Sequence, residues 1–322
     1  REHVHCRDLL QLVAILGEAQ DIARECGGVA GDVDHALRMH RRDSRDGLRA
    51  HALARRVDHN GVWPQAARGK LRRRIARGEA ADVGFDSNVD FERLMALRPD
   101  LVMLFGIGGA DTALTGKLRE LGIPYLYMGE HCEESPLGKS EWVVVAAEIA
   151  GLRTEGSRLF AAIPERYERL RALAQQTAAR PRVMLNTPYR DTWFMPARNS
   201  YMVRLLEDAG ARYVFEENTA TQTLPIDIEQ AYYLTSKSDF WLNVSGCNTL
   251  DEVRRQNPRL ADTPPVREGR VYDNNRRRNA AGGSDFWESG VLRPDRVLAD
   301  LVHIFHPELS ETDELYYYRQ LE

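Results

Sequence analysis

The sequence predicts an α/β protein of two lobes, on three observations. Its 322 residues are too many for one small core and suit two domains of ordinary size. From about Phe85 onward, amphipathic helical text alternates with short apolar runs, the pattern of helices packed over a parallel sheet. The alternation comes in two series, parted by a helical pattern running from Thr154 to Ala179 with Pro164 as its one proline. At ~1.5 Å per residue, ~25 residues of helix span roughly 35 Å.

The first stretch of chain breaks with this pattern. Between Arg1 and Gly84 there is one aromatic residue, Trp63, while the rest of the chain holds the other 25. The same stretch carries six of the nine histidines and Arg-rich runs such as RMHRRDSRDGLRAHALARR. Only weak helices are placed here, Leu9–Glu25 and Gly47–Arg56, because buried strands need apolar clustering that is missing.

In the first α/β series, DFERLMALRPD reads as a helix closed by Pro99, and LVMLF at Leu101–Phe105 as a buried strand. GIGGADT follows that strand; TALTGKLRELG makes the next helix, with Gly122 at its end, and IPYLYM the next strand. Ser140–Ile149 is apolar and helical.

The second series opens with PRVMLNTP as a strand, TWFMP as a short extended piece, NSYMVRLLEDAG as a helix ending in Gly210, and RYVFEE as an extended segment. PIDIEQAYYLTSK is a helix entered through Pro225 and Asp227. DFWLNVS is a buried strand, NTLDEVRRQ a helix and GRVYDNN a strand, before a helical close in DFWESGVLRPDRVLADLVHIFHP.

Composition narrows function mainly by exclusion. A net charge of -4 and a pI near 6.2 supply no basic field for nucleic acid. No run of apolar residues is long enough for a membrane span and no signal peptide opens the chain, so a cytosolic protein or one whose export signal has been removed is expected. Cys6, Cys26, Cys132 and Cys247 lack CxxC spacing, which argues against a zinc cage or a redox pair and leaves one disulfide or none open.

The motifs of nucleotide and hydrolytic chemistry are missing. GIGGADT has neither the Lys-Ser/Thr ending of a P-loop nor the order of a dinucleotide turn, and no GxSxG or HExxH occurs. Glu130, His131, Cys132, Glu133 and Glu134 form a run of donors after IPYLYM, but their spacing does not define a metal site and none is assigned.

In open α/β sheets ligands bind outside the carboxyl ends of the strands. The loops there are Gly106–Ala110, Gly129–His131, Thr187–Trp193, Gly246–Asn248 and Asn274–Arg278. Tyr189, Arg190, Trp193, Asn275, Arg276, Arg277 and Arg278, together with Glu130 and His131, are therefore the candidate ligand residues. Flat aromatic surface beside multi-donor guanidiniums suits a bulky anionic chelate. A core position for Trp193 and a solvated turn for the arginines remain the alternatives.

DFERLMALRPDLVMLFG, the long helix and the second α/β series together resemble the cobalamin and iron-siderophore class of periplasmic binding proteins. SPLGKSEWV, RVMLNTPYRDTWFMP, NSYMVRLLEDAGA, SDFWLNV and GGSDFWESGVLRPDRVLADLVHIFHPEL resemble a Bacteroidetes-type lipoprotein subgroup of that class. The resemblance covers about Ile75 to the carboxyl end. It implies two Rossmann-like lobes joined by one rigid helix, with the ligand cleft between them.

The resulting division is an anomalous segment 1–70, an incomplete amino-terminal lobe 71–153, a linking helix 154–179 and a carboxyl-terminal lobe 180–322. One codon choice for DHNGVWPQAARG, shifted by a base, reads TITASGLRRLA, text similar to the family's, so a shifted reading frame is the expected origin of 1–70.

The resemblance also implies delivery of a ferric chelate, siderophore, haem or cobalamin-like ligand to an ABC permease dimer, with no covalently bound cofactor. Glu92 in DFERL and Glu229 in IDIEQAY match the glutamates that dock on the permease. It implies a place in the periplasm or cell envelope, held through a lipid anchor that this chain does not include. The rival reading is an enzyme of chelatase-like two-lobe fold acting on a tetrapyrrole or nucleotide-sugar, and the third a signalling module.

Overall fold

A computed structural model of the chain describes residues 73, 75–78, 80–85, 88–105, 112–189, 192–244, 247–278, 284–310 and 312–322. The helices expected in the first 70 residues and the shifted-frame origin of that segment lie outside them, as do loop Gly106–Ala110, Gly246 and Arg190.

The chain divides into two compact units, residues 1–133 with 141–161, and residues 134–140 with 162–322. The division falls inside the long helix between 161 and 162, where the sequence suggested a boundary at 153 and a separate linker. The mixed α/β character expected from the alternation is present in both units.

In the first unit, a hairpin pairs β1 (Gly84–Phe85) with β2 (Asn88–Val89). Helix α1 (Phe91–Leu97) starts where Asp90 accepts a hydrogen bond from the Arg93 N–H, and stops where Arg98 turns left-handed ahead of Pro99. Strand β3 (Val102–Phe105) follows, then α2 (Ala113–Glu120), opened by a reciprocal Thr112–Thr115 capping box. Strand β4 (Tyr125–Met128) pairs parallel with β3, Val102 opposite Tyr125.

The period-two alternation of β3 distributes its side chains between two apolar clusters. Val102 and Leu104 pack with Leu94 of α1 and Leu118 of α2. Met103 packs with Leu126 and Met128, against Trp142 and Ile149 of α3 (Pro136–Ile149). Helix α4 (Arg153–Ala174) then begins pressed against α3: a Cβ on Gly156 would collide with the Cβ of Ala147. It ends five residues before Ala179, the end the sequence suggested, because the chain leaves through Thr177, whose hydroxyl donates to the Ala174 carbonyl.

The second unit is built on a five-stranded sheet. In chain order its elements are β5 (Arg182–Leu185), β6 (Pro188–Tyr189), β7 (Thr192–Met195), α5 (Tyr201–Asp208), β8 (Arg212–Tyr213), β9 (Leu224–Ile226) and α6 (Ile228–Ser236). They continue with β10 (Phe240–Leu242), α7 (Leu250–Gln256), α8 (Pro264–Arg267), β11 (Val271–Asp273), α9 (Ser289–Leu292), α10 (Pro294–Phe305) and β12 (Arg319–Gln320). The sheet order is β12-β11-β10-β5-β8, parallel except for β12.

A second, antiparallel sheet β6-β7-β9 was not expected; TWFMP read as an isolated extended piece. RYVFEE forms only the two-residue strand β8. Gly210, which ends α5, has φ +80, and a Cβ there would meet His306 and the Ala174 carbonyl, so no other residue fits without strain.

Strand β12, also unexpected, is locked from three directions. Asp300 of α10 accepts hydrogen bonds from the backbone N–H of Tyr316 (2.7 Å), Tyr317 (2.6 Å) and Tyr318 (3.0 Å). The Leu321 N–H donates to Val271, and the Leu250 N–H to the Glu322 carbonyl.

Candidate functional site

The carboxyl edge of the five-stranded sheet is set by asparagines. Asn186 and Asn243 directly follow β5 and β10, and both have positive φ (67° and 62°), a conformation that asparagine tolerates better than most residues. The Asn186 N–H donates to the Leu242 carbonyl and the Asn243 N–H to that of Tyr272, so each turn is pinned to the next strand. The Asn243 Oδ1 accepts from Asn274 (3.2 Å) and from the Tyr318 hydroxyl (3.0 Å).

Asn275 is buried, with its amide donating to the Cys247 carbonyl at 3.1 Å. Three buried polar atoms along this edge, Asn243 Nδ2, Asp273 Oδ1 and Asn275 Oδ1, have no hydrogen-bond partner among the described residues. Burial pushes the Asp273 carboxyl up to about 6, against the opposing pull of the Asn274 N–H and the charges of Arg278 and Arg319.

The candidate residues separate by exposure. Tyr189, in the β6–β7 hairpin, is 67% exposed. Arg276 pairs with Glu314 at 3.1 Å, and Arg277 with the buried Asp285 at 2.7 Å while stacking 4.4 Å over the Tyr316 ring. Arg278 bridges to Ser284.

Trp193, expected in a ligand loop, is a core residue at 1% exposure. Its indole donates to the Leu185 carbonyl and its ring lies 5.6 Å from Trp241, because the alternation of Thr192–Met195 turns Trp193 and Met195 inward. Trp287, not singled out from sequence, is 56% exposed, two residues after the partner of Arg277, with its ring edge-on to Phe286. Its signal in the sequence is its place in the family-like segment GGSDFWESG.

The acidic run after β4 does not act as one group. Glu130, His131 and Cys132 form a single 3-10 turn, with His131 Nε2 3.5 Å from the Cys132 sulfur. Glu133 accepts from the Trp142 indole, whereas Glu134 takes hydrogen bonds from Asn199 and Arg204. Among the described residues no three His, Cys, Asp or Glu converge on a metal position. Cys247 is buried, and burial raises its pKa.

Glu92 and Glu229 occupy the same local position in their separate units. Each is the second residue of a helix capped by aspartate: Asp90 accepts from the Arg93 N–H before α1, and Asp227 from the Gln230 N–H before α6. An acidic side chain there is favoured by the helix dipole. Both are exposed, and Glu229 lies 3.5 Å from Arg259.

Comparisons with known proteins bear on the family and the fold. Residues 49–276 match the Periplasmic binding protein family, and the chain belongs to it. The match begins upstream of Ile75, so family character extends further toward the amino end than the sequence motifs indicated. An uncharacterized lipoprotein of Methanocaldococcus jannaschii is 26% identical over 241 residues, 74% of this chain, which spans 55% of that relative's length.

Among solved structures, a periplasmic heme binding protein from Pseudomonas aeruginosa is similar at 20% identity and a TM-score of 0.54, over 79% of this chain and 88% of that one. The apo form of the periplasmic heme-binding protein RhuT from Roseiflexus sp. RS-1 is similar at 20% identity and 0.53, over 71% and 83%. These likenesses establish the fold, that of two-lobe periplasmic binding proteins. The family is one of binding proteins rather than enzymes, so the chelatase-like alternative is not carried further. The Bacteroidetes-type subgroup rests on sequence motifs alone.

Proposed function

We propose that the chain is the solute-binding component of an ABC importer, working outside the cytoplasm in the periplasm or cell envelope, with a metal chelate of siderophore, haem or corrinoid type as its ligand. The observation that carries this reading is the family match over residues 49–276. The heme-binding solved structures of the same fold support the ligand class.

In this reading Tyr189, Arg276 and Arg277, joined by Trp287, are the ligand groups of the second unit, and Glu130 and His131 those of the first. Arg190 is kept with them as a candidate from the sequence, and the buried Asn275 supports the loop after β11. Glu92 and Glu229 are the docking carboxylates for the permease dimer. Two glutamates fixed at identical helix positions present one charge from each lobe to a pair of basic sites.

Titration of the full chain with hemin, ferrioxamine B and cyanocobalamin, followed by tryptophan fluorescence and calorimetry, tests the proposal. Saturable binding of one ligand per chain by at least one of the three is expected. No saturable response to any of them overturns the reading.

A further inference from the structure

The three-stranded sheet β6-β7-β9 sorts its side chains onto two unlike faces. Its register sets Pro188 opposite Trp193, Tyr189 opposite Thr192, Phe194 opposite Pro225 and Met195 opposite Leu224. Directly paired residues share a face, and neighbours along a strand alternate. The inner face therefore holds Trp193, Met195 and Ile226, all buried, and the outer face holds Tyr189, Thr192, Phe194 and Pro225.

The outer face is open to solvent and apolar. Phe194 is 41% exposed, and Pro225 beside it is exposed as well, on the same face as the exposed Tyr189. No residue of the three strands is charged. Two aromatic rings left in water forgo the gain of burial, and contiguous apolar surface of this kind marks a binding surface.

The position of the sheet decides what covers it. The Trp193 indole donates to the Leu185 carbonyl at 2.9 Å, and the Trp241 indole to that of Asn186 at 2.7 Å. The Asn186 side-chain amide donates to the Phe194 carbonyl at 3.2 Å. The small sheet is thus pinned to the carboxyl end of β5, with Trp241 of β10 bracing the same turn. Open α/β sheets take their ligands at that edge. A permease surface with basic sites would call for charge, which this face lacks and α6 carries at Glu229.

We propose that Tyr189, Phe194 and Pro225 form a stacking platform for the solute, and that the solute is a planar, conjugated macrocycle held by its ring face rather than a hydroxamate siderophore. This inference rests on the solute-binding reading and narrows its ligand class. Stacking on a ring face needs no metal, so the platform holds the macrocycle with or without iron.

The full chain and its variants are titrated with hemin, metal-free protoporphyrin IX, ferrioxamine B and cyanocobalamin, followed by tryptophan fluorescence. Wild type is expected to bind hemin and protoporphyrin IX, and Phe194→Ser to weaken both by about fivefold or more. Phe194→Tyr keeps the flat ring and stays within about twofold of wild type. Tyr233→Ala, which removes an exposed ring from α6, also stays within about twofold, which separates the platform from general adhesion of hemin to aromatic surface. Should Phe194→Ser fail to fold by circular dichroism, Phe194→Leu carries the test, since it loses the flat ring and keeps the apolar character. Binding of ferrioxamine B or cyanocobalamin without hemin, hemin binding that protoporphyrin IX does not share, or hemin affinity unchanged in the Phe194 variant overturns this inference and leaves the solute-binding reading standing. An equal loss in Tyr233→Ala overturns the platform too. No binding of any probe removes both the inference and the reading beneath it.

Discussion

Asp273 and Arg319 sit directly opposite one another across the antiparallel β11–β12 ladder, yet Asp273 Oδ1 and Arg319 Nε are both buried without a hydrogen-bond partner among the described residues. The guanidinium is turned away, donating instead to the carbonyl and side-chain oxygens of Asn248. The Asn274 N–H and the charges of Arg278 and Arg319 offset the desolvation of the carboxylate in part.

The consequence is a pH-dependent stability whose sign follows from burial. A carboxyl raised from 3.8 to about 6 contributes its full stability below pH ~4 and loses it as pH rises through ~6. The ionised group then costs the folded state up to ~3 kcal/mol at neutral pH. Asp273→Asn should therefore raise the urea midpoint at pH 7.5 but not at pH 4. Equal pH profiles for the two proteins would refute this.

Asp300 is expected to be the costliest single polar loss in the second unit. Asp300→Ala strands three backbone N–H groups, each worth roughly 1–3 kcal/mol when buried unpaired. A loss of at least ~3 kcal/mol in denaturant unfolding is expected, with faster hydrogen exchange at Tyr316–Tyr318.

Gly156 is predicted to be a steric requirement, not a flexible point. Gly156→Ala places a methyl group against Ala147 and should lower stability by ~1–3 kcal/mol, although alanine favours helix more than glycine does. Ala147→Gly in the same chain should recover much of the loss, and thermal melts of the single and double variants decide it.

Ligand contact and core packing should separate cleanly at two aromatic residues. Tyr189→Ala, at an exposed hairpin, is expected to leave the melting temperature within a few degrees and to weaken hemin, ferrioxamine or cyanocobalamin binding. Trp193→Ala removes a fully buried indole and should cost ~3–5 kcal/mol. A Tyr189 variant that binds normally would remove that residue from the site.

The helices and central strands were readable from sequence because their signals are local. Asp90, Thr112 and Asp227 announce helix starts within three residues, and the apolar runs at Val102–Phe105 and Tyr125–Met128 mark the two paired strands. Sheet β6-β7-β9 was not readable in the same way. It joins Trp193 to Ile226 across more than thirty positions, and Pro225 inside β9 argues locally against a strand. The aromatic character of Thr187–Trp193 suggests a ligand loop, but the alternation of Trp193, Phe194 and Met195 carries the stronger signal, a period of two that turns Trp193 inward. Arg276 and Arg277 could be picked out as cations, but nothing near them in sequence foretold Glu314 or Asp285 as partners.

Asp300 holding Tyr316–Tyr318, together with the Leu250 bond to Glu322, has a consequence for the order in which the protein is made. Synthesis proceeds from the amino end, so β5, β10 and β11 are complete long before the segment that covers the exposed side of β11. Until residues 316–322 emerge, that side of the sheet stays an open template and the Asp300 carboxylate lacks its three donors. Residues 316–322 therefore act as a latch, and the second unit cannot reach its final stability until they have closed it.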